Sequence, residues 1–166
     1  MANKQAFTPE EWTKILESVV LSGMAVTAAD PSGIIGLLKE SFASAGMLAK
    51  AKSDSGARAI IKDVVAEFQT SEGRSLMQEA IKKRFAGATH ADISARSVDA
   101  LREVSTILDA RAPEDAREFK AWLHEISTKV AEAATEGGFL GFGGERVSDA
   151  EKATLSDIDK ALGIAA

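Results

Sequence analysis

The sequence predicts an all-α protein, a single-domain bundle of about seven helices. Three observations carry that expectation. Of the 166 residues, 30 are Ala and only 3 are Pro, which favours helices because Ala loses least on entering one and Pro costs most. Apolar residues recur at three- and four-residue intervals along most of the chain, and no alternating, strand-like segment competes with them. Cap residues stand where the periodic stretches begin, and Gly or Pro where several of them end. With 45% hydrophobic and 27% charged residues, the composition is that of a chain with a core rather than of a disordered one.

The first helix opens at Thr8-Pro9-Glu10-Glu11. Thr8 can cap, Pro9 suits the first helical position, and Glu11 can return a bond to the Thr8 amide. Trp12, Ile15, Leu16, Val19 and Val20 then form one apolar stripe, running towards Ala28-Ala29 and stopping at Asp30-Pro31-Ser32-Gly33. A second helix is expected to carry Ile34, Ile35, Leu38 and Phe42, and the polar stretch Ala51–Ala57 connects it onward. Ile60, Ile61, Val64, Val65 and Phe68 make a third helix, ended by Thr70-Ser71-Glu72-Gly73. A fourth places Leu76, Met77, Ala80, Ile81 and Phe85 on one face, with Lys82, Lys83 and Arg84 in its last turn, where basic groups complement the helix dipole. Thr89 and Asp92 cap a fifth, with Ile93, Val98, Leu101, Val104 and Leu108. Pro113-Glu114-Asp115 opens a sixth, with Phe119, Trp122, Leu123, Ile126 and Val130, ending near Thr135. Ser148-Asp149-Ala150-Glu151 has the capping-box pattern of a seventh, with Leu155, Ile158 and Leu162 before Gly163. Residues 1–166 thus read as one all-helical domain, with an N-terminal unit at about 8–50, middle helices at about 57–110 and a C-terminal unit at about 113–163.

The chain also echoes itself. Ala28–Leu37 aligns without gaps, 105 residues apart, with Ala133–Phe142: four positions are identical and three more keep apolar character. Leu21-Ser22 against Ile126-Ser127 extends the match backward. Coincidence in an Ala- and Gly-rich chain and a diverged helix–loop–helix duplication about a pseudo-twofold axis are the two readings.

The chemistry on offer is narrow. Absence of Cys excludes disulfides, zinc–thiolate sites, iron–sulfur clusters and thiol nucleophiles. A net charge of −5 argues against nucleic acid and anionic membrane as main partners. No apolar run is long enough to span a bilayer, and Met1–Gln5 lacks a signal peptide's apolar centre, so a cytoplasmic location without membrane insertion is expected. His90 and His124 are the only histidines, neither in a metal-ligand pattern, and His124 reads as a helix-border residue. Without Cys, Tyr or paired histidines an ordinary acid–base site is hard to assemble, so the expectation is a protein that is not an enzyme.

Glu136–Arg146 contains five glycines in eleven residues, yet it is neither a Walker loop nor a dinucleotide fingerprint. Its apolar centre, Phe139, Leu140 and Phe142, reads either as a loop tucked into the protein's own core or as a docking surface for a partner or second subunit. Acids gather near the two echoed turns, where they serve as solvated caps or as oxygen ligands for a divalent cation.

Ala131–Gly138, followed by Val147-Ser148-Asp149-Ala150-Glu151, Leu155 and Ala161-Leu162-Gly163, resembles the tellurite-resistance TerB-like family, and Val26-Thr27-Ala28-Ala29-Asp30 resembles that family's other half. Thr135-Glu136 stands where the family has Asp-Gly, and the Gly/Phe loop is an insertion. The resemblance implies a helical bundle with internal pseudo-symmetry and a link to stress or metal-oxyanion response. It also implies Ca²⁺ or Mg²⁺ binding by turn acids, of which Asp30, Glu136, Glu145 and Asp149 match the pattern. The expected function is therefore that of a non-enzymatic cytoplasmic protein acting through a protein partner or self-association, with divalent-cation binding in a stress response. The alternative is a structural or assembly subunit docking through the 136–146 loop.

Overall fold

The computed structural model describes residues 2–29, 46, 48–51, 56–135 and 147–164. Every element assigned among them is helical. A 3₁₀ turn, Lys4–Ala6, precedes α1 (Pro9–Thr27), α2 (Ala59–Gln69), α3 (Ser71–Arg84), α4 (His90–Arg111), α5 (Pro113–Thr135) and α6 (Asp149–Leu162). The helix expected around Ile34–Phe42 lies outside the described residues.

The caps form where local spacing places them. Thr8 and Glu11 bond reciprocally, the Thr8 amide donating to Glu11 Oε2 at 2.8 Å and the Glu11 amide to Thr8 Oγ1 at 3.2 Å. Ser148 and Glu151 repeat the arrangement at 2.8 and 3.2 Å. The Asp92 carboxylate accepts from both the amide and the hydroxyl of Thr89. Each bond from a backbone amide satisfies a donor that the first turn of a helix leaves without an intrahelical partner. α6 stops at Gly163, whose φ of 68° is left-handed and easy only for residues like Gly.

Helix α1 is the centre of the bundle and packs on α3, α4, α5 and α6. Its contact with α4 is antiparallel, since Glu11 pairs with Arg111 at 3.0 Å and Lys14 with Glu103 at 3.3 Å. Helices α4 and α5 form a hairpin through Ala112, with Lys120 Nζ on Asp109 at 2.6 and 2.7 Å. One continuous core unites Trp12, Ile15, Leu16 and Val19 of α1 with the apolar faces of α2, α4, α5 and α6. Fully burying a large aliphatic or aromatic side chain there contributes about 1.5–3 kcal/mol.

The crossing of α1 and α5 is made of small residues. Ser127 Oγ donates to the Ser22 carbonyl at 3.0 Å, the same pair that the 105-residue echo aligns. Ser22 Oγ reaches back to the Ser18 carbonyl and Ser127 Oγ to that of Leu123, again equivalent positions. Over this stretch the burial phases coincide: Glu17, Ser18, Leu21, Ser22, Ala25 and Val26 are buried, and so are the residues 105 further on. The helices preceding the echoed turns therefore meet at their equivalent serines. The turns themselves, Asp30–Gly36 and Glu136–Gly141, lie outside the described residues.

At the N-terminus, the Ala2 amide donates to the buried Asp115 carboxylate and the Lys4 amide to Asp63 Oδ2, while Lys4 Nζ pairs with Glu67 and lies 5.9 Å from the Trp12 ring centroid. Arg58 forks onto Glu118 at 2.5 and 2.6 Å and fixes the entry of α2 against the start of α5. No helix among the described residues is long and apolar enough to cross a membrane.

Candidate docking surface

Helix α3 is the odd element of the bundle. Its apolar periodicity reads like a core face, yet none of its residues belongs to the buried cluster or packs against it. Only Gly73 is buried; Met77, Ala80 and Ile81 are half-covered, and Leu76, 41% exposed, is the one large hydrophobic residue exposed among the described ones.

Two anchors hold α3 in place. At its start, Thr70 caps: the Gly73 amide donates to Thr70 Oγ1 at 2.9 Å, and the Thr70 amide and hydroxyl both donate to the Glu67 carbonyl. The chain folds so tightly here that a Cβ on Gly73 would stand 2.3 Å from Glu67 O. At its end, Arg84 donates to the buried Glu17 carboxylate of α1 through Nη2 at 2.7 Å and Nε at 3.2 Å. Arg96 of α4 donates to the Arg84 carbonyl at 3.1 Å and so meets one of the acceptors a helix terminus leaves open.

Between these anchors an open groove of about 700 Å³ separates α3 from α1 and α4. Ala80, Lys83 and Arg84 form its α3 wall, opposite Glu10, Lys14 and Glu17 of α1 and Arg96 and Asp99 of α4. The outer edge of that wall is a stripe at helical spacing, Glu72, Leu76, Glu79 and Lys83, all four exposed. Among the described residues, Glu72, Glu79 and Lys83 have no ion-pair partner. The stripe thus runs acid, apolar, acid, base, with Leu76 between Glu72 and Glu79.

Of the residues singled out from sequence, Asp30, Glu136, Glu145, Phe139, Leu140 and Phe142 lie outside the described residues. Asp149 is the first residue of α6; its side chain is 93% exposed and 3.3 Å from Lys152, the posture of a first-turn acid facing the helix dipole. Among the described residues, no group of three or more acids and histidines is placed to share a metal ion.

His124 is more than a helix-border residue. Its Nδ1 lies 2.6 Å from Asp159 Oδ1, off the hydrogen-bond direction, and ties α5 to α6. Nε2 is 3.4 Å from Thr128 Oγ1, longer than the contact through which a base activates a hydroxyl. This pair was not legible in the sequence, because Asp159 lies on another helix with no fixed spacing to His124. The chain matches no protein-family model, no curated protein and no solved structure.

Proposed function

We propose that this chain is a non-enzymatic helical protein that acts by associating with protein, and that α3 is its docking element. The observation that carries the reading is a helix held at both ends that, among the described residues, adds no side chain to the buried core, with Leu76 41% exposed. The apolar surface that Leu76 and the half-covered Met77, Ala80 and Ile81 leave open gains free energy when a partner covers it, about 25 cal/mol per Å² of apolar surface removed from water. A protein partner is favoured over nucleic acid because the chain carries a net charge of −5 and the groove mixes both signs. A cytoplasmic setting and a role in stress response of the TerB-like kind rest on the absence of Cys and on the resemblance of the residues around Ala28-Ala29 and Ser148–Glu151.

The test is an ultraviolet-activated cross-linking residue at position 76 in the native cells, with the same residue at the exposed Ala66 of α2 as control. A discrete protein adduct at 76 and none at 66 is expected. No adduct at 76 would remove the reading.

A further inference from the structure

We infer that the partner of the α3 stripe is a second copy of this chain, bound antiparallel across a twofold axis near the middle of α3. The inference rests on the docking reading above and names its occupant from charge and spacing. Glu72, Leu76, Glu79 and Lys83 stand at i, i+4, i+7 and i+11, one exposed line along the helix. A twofold contact must be self-complementary, each residue meeting its counterpart in reverse order. Reversing this line about its midpoint sets Glu72 of one copy against Lys83 of the other, twice, and Leu76 against the methylenes of Glu79, with the two Leu76 side chains diagonal to each other across the axis. Glu79 stands one turn before Lys83 on its own helix and shares that ammonium. Glu72 and Lys83, which lack a described partner within one chain, are thus each given one by the other copy.

The line also fits this occupant in its surroundings. Arg84, the neighbouring base, is already committed to Glu17, and the exposed Lys82 stands about 100° round the helix from Lys83, so Lys83 is the cation on this line. The small Ala80 borders Leu76 one turn on and leaves room for the second leucine. Helix α3 has 14 residues, about 21 Å of axis, so a pair of such helices makes an interface at the small end of specific contacts. Dissociation on the order of 100 µM is expected for so small a contact in a chain with a like net charge.

Sedimentation equilibrium of the full chain, from about 10 µM to about 1 mM, tests this. The mass should rise from one chain towards two, and Leu76→Asp should hold it at one. Glu72→Lys and Lys83→Glu should each weaken association at least threefold by placing like charges opposite each other, and the double variant should return it to within about twofold of the original. Circular dichroism identifies any variant that loses α3, and Lys83→Glu, away from the capped end, serves if Glu72→Lys does so. A double variant no better than the singles overturns the pairing. A monomer at every concentration, with a discrete adduct to a different protein at position 76, overturns the second copy and leaves the docking reading standing. A monomer with no adduct removes both.

Discussion

Gly73→Ala reverses the usual helix rule, and it is the sharpest energetic consequence of the α2–α3 turn. In an ordinary helix interior, Ala in place of Gly stabilises by about 0.5–1 kcal/mol. Here the added Cβ would lie 2.3 Å from Glu67 O and 2.9 Å from Glu67 C, against 3.4 Å or more for an ordinary contact. The overlap of about 1 Å is with backbone, and that carbonyl is pinned by the Thr70 amide at 3.0 Å and the Thr70 hydroxyl at 2.9 Å. No flexible side chain can yield, so α3 must retreat or the turn must open. Overpacking of this kind costs about 1–3 kcal/mol, and a backbone clash belongs at the upper end. Subtracting the helix gain leaves a net loss of about 2 kcal/mol. In urea, with a slope of about 1–3 kcal/mol/M, the midpoint should fall by about 1 M. Ser75→Ala, at an exposed site of the same helix, should be neutral or slightly stabilising. A Gly73→Ala midpoint equal to or above that of the original chain would refute the close approach of α3 to α2.

Three further outcomes follow from the same contacts. Arg84→Met leaves the Glu17 carboxylate buried without its cation and should cost about 3 kcal/mol, whereas Glu17→Met with Arg84→Met should recover most of that loss; a double variant as unstable as the single one would show that the pair is not the anchor. Ser127→Leu forces bulk into the α1–α5 crossing and should cost about 1–3 kcal/mol, while Ser127→Ala loses one buried hydrogen bond, about 1 kcal/mol; equal effects in thermal unfolding would contradict the close serine contact. The carboxyls of Glu11 and Glu118 are held below their ordinary value of 4.5, and that of Asp92 below 3.8, chiefly by the Thr8 amide, the Arg58 guanidinium and the Thr89 amide respectively. Folded-state values lowered in this way add stability that is present above the ordinary values and is lost as pH falls through the lower ones, so unfolding free energy should begin to drop below about pH 4.5. Glu11→Gln and Asp92→Asn should flatten that acid limb, and an unchanged limb would show that these caps do not contribute.

Most of the secondary structure was legible because its signals are local. Thr8 with Glu11, Thr89 with Asp92 and Ser148 with Glu151 each act across three residues, a spacing any sequence displays. Burial was legible where periodicity and packing agree, as for Leu101, Val104 and Leu108 on α4. It failed on α3, whose periodicity marks an apolar face but carries no information about what covers that face. Gly73 read as the end of a helix because its conformational cost is visible in sequence, whereas its use, room for Glu67 O, depends on the turn's geometry. Lys82-Lys83-Arg84 read as dipole complements, yet Arg84 also reaches a carboxylate 67 positions away, as His124 reaches one on another helix. Pairs set by tertiary contact leave no spacing to find.

Amide hydrogen exchange on dilute protein tests most directly whether α3 stands outside the core. A helix that buries only Gly73 should open without unfolding the bundle, so its amides should exchange at least about tenfold faster than those of the α1–α5 crossing. Amides of α3 that exchange as slowly as those around Ser22 and Ser127 would show a helix already packed by its own chain, and with no open face for a partner to cover.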